Sequence, residues 1–320
     1  MRLTGNKSRT KRKGASLPGR MVRQEERAAY IFLLPWLCGL LFIMIGPLIA
    51  SFVLSLTHYT LITPPRWAGF ENYREMLTNF YFLKSIKVTI TYLILFVPCN
   101  LVVGLSLAML LNRAIKGINL FRTIFYLPAV FAPTAVAVLW RFLYNPAFGP
   151  INVVLRSIGV ANPPRWLVDP LWAVPSVIFM MMWRVGEQMI IYLAGLKNIP
   201  PTLYEVADID GASAWQKFIK VTLPMLSPTI FFMLIISLSD AFQIFDQVYV
   251  LGGATGSRGG RGSNLLFYML NVWNEGFRNM RLGYASALAW VLIIIAAIVV
   301  ILTFKSSEGL VYYEHETTKR

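Results

Sequence analysis

The sequence predicts an all-α polytopic membrane protein with six transmembrane helices, on three observations. The 320-residue chain is 56% hydrophobic and only 14% charged, a balance that does not suit a water-soluble domain of this size. Apolar runs at 30–56, 88–111, 124–144, 171–196, 230–251 and 284–304 are each long enough to cross about 30 Å of hydrocarbon as a helix. The gaps between them reach only about thirty residues, the length of membrane loops and too short for a large further domain.

The first segment, 1–29, is a basic tail. Arg2, Lys7, Arg9, Lys11, Arg12, Lys13, Arg20, Arg23 and Arg27 precede the first run directly, which places the tail in the cytoplasm by the positive-inside rule. Six crossings then return the C-terminal tail, 305–320, to the same side, with the transmembrane domain spanning 30–304. The loops carry nearly balanced numbers of basic residues on the two sides, so the orientation rests on the tail. A formal charge of +15 can signal nucleic acid, but a basic cluster at a membrane edge meets anionic lipid instead, and no nucleic-acid partner is expected.

The first run is too long for a signal-peptide core and is followed by Thr57, His58, Tyr59 and Thr60 in place of a small-residue cleavage site, so it reads as a retained helix. Cys38 and Cys99 both fall inside apolar runs and read as buried thiols with no disulfide or metal role. Pro35 and Pro47 in the first run, and Pro128 and Pro133 in the third, free backbone groups that neighbours or water must satisfy, and they mark kinks or hinges. Between the first two spans, "RWAGFENYREML" (66–77) reads as an amphipathic helix on the outer surface.

Charged groups inside the spans need a partner or a cavity. In the fourth span Arg184 and Glu187 stand three apart and can pair on one face, and Glu187, Gln188 and Trp183 are candidates to border a solute path. In the fifth, a helical wheel puts Asp240, Gln243 and Gln247 on one face and Phe242, Phe245, Asp246 and Tyr249 on the other. Aromatic planes beside acids and amides suit a sugar, whose ring face stacks while its hydroxyls hydrogen-bond. Packing against neighbouring helices explains the same faces without a solute. Asp240, Phe242, Gln243 and Asp246 are the candidate path residues here.

Between the fourth and fifth spans lies a polar stretch, "YEVADIDGASAWQKFIKVTLP" (204–224). Pro200 and Pro201 end the preceding helix. Thr202 is the expected N-cap, with Glu205 completing a capping box. Gly211 stops this helix, Ser213 caps a second one, and Pro224 closes it. Trp215, Phe218, Ile219 and Thr222 line one face of the second piece, against Gln216, Lys217 and Lys220 on the other. Amphipathicity alone allows an interfacial helix on lipid or a knob docking into a soluble partner.

The same residues bear a resemblance. Glu205, Val206 and Ala207, then Gly211, Val221, Leu223 and Pro224 resemble the "EAA" signature of bacterial ATP-binding-cassette importer permeases, departing from it at Val206 for the usual Ala and Val221 for the usual Ile. "YLPAVFAPTAVAVLWRFLYNPAFGPIN" (126–152) and "DAFQIFDQVYVLGGATG" (240–256) are similar to stretches of carbohydrate-uptake permeases of the maltose-transporter type, particularly the first of two paired permeases. The resemblance implies the type I ABC importer permease fold, a bacterial inner-membrane location, and an ATP-driven uptake of a sugar or sugar-like solute by alternating access. It makes 201–224 the coupling segment that enters a cleft on the ATPase, with Glu205, Ala207, Asp210, Gly211, Leu223 and Pro224 at the contact. The implied partners are a second permease, a cytoplasmic ATPase dimer and an extracytoplasmic solute-binding protein.

No nucleotide site is expected on this chain, and ATP and Mg belong to the partner ATPase. "GGATGSRGGRG" (252–262) lacks the Lys-Ser/Thr ending of a phosphate-binding loop and reads as an outer loop. His58 and His315, the only histidines, offer no convergent catalytic centre for a membrane-embedded enzyme. An autonomous ion-coupled carrier would be expected to show internal repeats or paired broken helices, and no convincing repeat is seen. Arg66, Arg74, Arg156, Arg165, Arg258 and Arg261 fall on outer loops and leave the charge of the solute open.

Overall fold

The computed structural model describes residues 20–113, 116–253 and 259–307. Most of the basic tail, part of the glycine-rich loop and the C-terminal tail after Ser307 lie outside the described residues. The chain divides into two compact units, Met1–Val53 and Leu54–Arg320.

The first helical rod comprises α1 (Arg20–Gly39), a π turn at Leu40–Ile45, and α2 (Gly46–Ser55). The π turn has a local cause. Pro47 has no N–H to give the Ile43 carbonyl, and Gly46 N reaches back to Leu41 O, widening the ladder by one residue. None of the apolar window within Ala29–Ser55 is buried.

The second unit opens with a short antiparallel ribbon, β1 (Thr57–His58) on β2 (Arg66–Trp67), followed by α3 (Glu71–Thr78). The amphipathic helix expected over 66–77 therefore starts later. Its first residues pair as a strand, and Asn72 fixes the junction by donating from Nδ2 to Ser55 O at 2.8 Å and Thr57 O at 3.0 Å.

Helix α4 (Phe80–Leu111) begins where Asn79 accepts from the N–H groups of Tyr81 and Phe82, eight residues ahead of the apolar run. It is the central pillar. α4 packs against α8 (Ala173–Met182), α9 (Gly186–Lys197), α12 (Leu223–Gln243) and α14 (Tyr268–Trp273). Tyr92 stacks on Phe96 at 4.8 Å and meets Phe267 edge-on at 5.1 Å. Asn100, buried in this pillar, donates from Nδ2 to Ser237 Oγ on α12 at 2.9 Å.

The third apolar run is two helices, α5 (Ile118–Val130) and α6 (Pro133–Leu143), bent by 96°. Pro133 occupies the first turn of α6, where its missing N–H is harmless, and Phe131 and Ala132 are extended. α7 (Pro150–Ser157) then leads to the fourth run, which is also broken, with α8 and α9 bent by 51°. Gly186 sits at this second break, and a Cβ there would lie 2.3 Å from Phe125 O, so only glycine lets the two backbones approach.

The polar stretch forms α10 (Pro201–Ile209) and α11 (Ala214–Lys217). Two expectations are corrected here. Thr202 is not the N-cap: Pro200 precedes the helix, Pro201 takes the first helical position, and no side-chain capping bond is made. Nor does Pro224 close a separate helix, because α11 runs through a π turn, Phe218–Thr222, directly into α12.

α12 ends at Gln243. Ile244 and Phe245 leave helical geometry, and the chain continues through α13 (Asp246–Val248) and a π turn, Tyr249–Gly253. After α14 and a further π turn, Asn274–Arg278, the last helix α15 (Leu282–Ser307) completes the fold. At its entrance Arg281 pairs with Glu75 and lies over the Tyr284 ring, and the bond to Glu75 raises the Arg281 pKa further above its usual value. The described residues are all-helical apart from the ribbon and the connecting turns. Among the described residues, four helices are long and apolar enough to span a membrane, and the total is six if each bent pair is one span.

Candidate functional site: a polar cavity at the helix breaks

Two breaks in the fold meet at one cavity of about 270 Å³. Its wall is built from Phe96 and Asn100 of α4, Met181 of α8, Arg184 at the α8–α9 break, Glu187 and Gln188 of α9, and the run from Asp240 through Gln247 apart from Ala241 and Phe242. Helix ends account for this. Where a helix breaks, its polar side chains and freed backbone groups need water or a ligand, and a cavity is where both can be met inside a membrane.

Of the candidate path residues, Glu187, Gln188, Asp240, Gln243 and Asp246 line the cavity. Phe242 does not: it is buried in the core shared with Phe82, Tyr268 and Leu288. Trp183 also lies off the wall, packed edge-on against Trp140 at 5.9 Å. The helical wheel separated Asp246 from Asp240 and Gln243, yet all three share the cavity, because the helix stops at Gln243 and the 100° rule stops with it.

The ion pair expected between Arg184 and Glu187 is not among those formed by the described residues. The break between α8 and α9 removes the helical i, i+3 geometry, and Arg184 donates from Nη2 to Ala129 O at 3.3 Å instead. Arg184 Nε and Gln188 Oε1 are buried without a hydrogen-bond partner among the described residues, polar capacity that a solute or water can take up. Phe96, Asn100, Met181 and Ile244 were not expected at the site. Of these four, Asn100 alone carries a signal in the sequence, as a lone amide in an apolar run.

The 201–224 stretch lies elsewhere and is built to project. Gly211, at φ +72°, closes α10 with a paired turn in which Gly211 N donates to Asp208 O and Ala212 N to Ala207 O. Ser213 and Gln216 then form a reciprocal capping box, and Lys217 Nζ reaches Asp208 Oδ1 at 2.6 Å, tying the two helices together. Glu205, Asp210, Gly211, Leu223 and Pro224 are exposed and Ala207 is half-buried. Val206, Ile209 and Trp215 also expose apolar surface, Ile209 at 86%.

Residues 100–308 match the family described as "Binding-protein-dependent transport system inner membrane component". The chain belongs to this family. The permease is 38% identical to the probable ABC transporter permease protein YesP of Bacillus subtilis, across 98% of this chain and 99% of that one. It is 33% identical to the trehalose/maltose transport system permease protein MalF of Thermococcus litoralis, across 82% and 88%. Its fold matches the bacterial alginate ABC transporter solved with an alginate pentasaccharide-bound periplasmic protein, with a TM-score of 0.78, 25% identity, and coverage of 89% and 95%. The permease is thus a multi-pass inner-membrane subunit of the ABC carbohydrate-importer family, working in a complex with a binding protein, and the ATPase lies on a separate subunit.

Proposed function

We propose that this permease passes a sugar or sugar-like solute into the cytoplasm through the cavity at its helix breaks, by alternating access driven by ATP on a partner ATPase dimer. The observation that carries the reading is the cavity itself. It sits among broken helices and presents amides, carboxylates and aromatic faces, the groups that bind hydroxyls and stack on sugar rings. Its volume falls just below the ~300–1,000 Å³ of complete small-molecule sites. A second, related permease supplies the opposing wall.

One relative's name supports the solute class: trehalose/maltose. In this reading both termini are cytoplasmic, the basic residues 1–29 meet anionic lipid, and 201–224 enters the ATPase. Glu205, Ala207, Asp210, Gly211, Leu223 and Pro224 form or shape that contact, while an extracytoplasmic binding protein delivers the solute to the other side. ATP and Mg act on the ATPase alone. Uptake by the reconstituted transporter with its binding protein tests the path. Replacing Glu187, Gln243 or Asp246 with Ala lowers uptake about tenfold or more, through affinity or rate, whereas three variants with wild-type uptake rule the cavity out as the path.

A further inference from the structure

The charge of the cavity wall goes one step further, resting on the reading that this cavity is the solute path. Three carboxylates line it, Glu187, Asp240 and Asp246, against one guanidinium, Arg184, and no lysine is among the lining residues. The guanidinium spends one donor, Nη2, on Ala129 O. The remaining polar groups, Asn100, Gln188, Gln243 and Gln247, are uncharged amides. Asn100 is already engaged with Ser237.

Carboxylates outnumber cations in this wall even if one of the three is protonated. A neutral polyol needs only hydroxyl bonds, donated to the carboxylates and exchanged with the amides, and brings no charge of its own. A uronate or phosphorylated sugar must shed part of its hydration and then face like charge at short range, where repulsion is stronger than in bulk water. We propose that the permease is a charge filter: its own wall admits uncharged, hydroxyl-rich solutes and turns anionic ones away, through Glu187, Asp240 and Asp246.

The test needs no knowledge of the natural solute. In the assembled transporter in membrane vesicles, with Cys38 and Cys99 replaced by Ser, Gln243→Cys is reacted with methanethiosulfonates of similar size bearing a trimethylammonium or a sulfonate group. Rates are normalised to those of a free thiol. The filter predicts cationic labelling faster than anionic on the order of tenfold. The ratio falls toward one in high salt and in the Glu187→Gln, Asp246→Asn double variant. Equal normalised rates, or a ratio unmoved by the double variant, overturn the filter while leaving the cavity as the path. Absence of labelling by either reagent shows the cavity closed to small solutes and overturns both readings.

Discussion

Asn100 and Ser237 illustrate how much one polar contact decides inside so apolar a chain. Their hydrogen bond joins α4 to α12 directly beside the cavity, at almost complete burial of both residues. Ser237→Ala leaves the Asn100 amide without its acceptor, at a cost of about 1–3 kcal/mol. Thermal unfolding of the purified complex checks this: a midpoint several degrees lower is expected, and an unchanged midpoint would mean that water replaces the hydroxyl. Asn100 was hard to single out in the sequence because one amide in a long apolar run has no periodic partner. The charged residues were easier to find, since ionised groups in hydrocarbon are costly wherever they occur. Phe242 misled for the converse reason, as an aromatic side chain suits a sugar face and a protein core equally, and here the core takes it.

Helix ends separate what local chemistry specifies from what packing specifies. The turn at 209–213 was legible because its devices are local: Gly211 for a left-handed backbone and Ser213 as a cap. Ser213→Ala removes the capping box and is expected to loosen this turn by about 0.5–2 kcal/mol. Hydrogen exchange at the amides of Trp215 and Gln216 reports that loosening, and exchange equal to wild type would assign the turn's order to its other contacts. The breaks at 131–132, 183–185 and 244–245 were not legible to the same degree. Pro133 hinted at the first, but not at its 96° bend, which sets α5 against α9 and α6 against α13. The second depends on the approach of Gly186 to Phe125, sixty-one residues earlier in the chain. No residue near Ile244 breaks helices intrinsically, so a uniform wheel ran through that point and split one cavity wall into two faces.

At the scale of the whole molecule, two features stand at either end of one helical run. One is a polar cavity gathered from α4, α8, α9, α12 and α13, and the other is an exposed, internally braced helical turn continuous with α12. Because α11, its π turn and α12 form one run from the turn to Asp240 and Gln243, the proposed docking of 201–224 on the ATPase has a direct mechanical route to the cavity wall. Membrane character and the number of apolar runs were plain in composition, since about 30 Å of hydrocarbon imposes its length on any helix that crosses it. How the bent pairs fold back was not, because lipid demands satisfied backbone groups without dictating where a helix turns. The most direct check of this coupling is co-purification of the ATPase with the detergent-solubilised permease, comparing wild type with Gly211→Pro and Glu205→Lys. The account predicts that both variants lose the ATPase while the second permease stays bound. Retention of the ATPase by both variants at wild-type stoichiometry would contradict it.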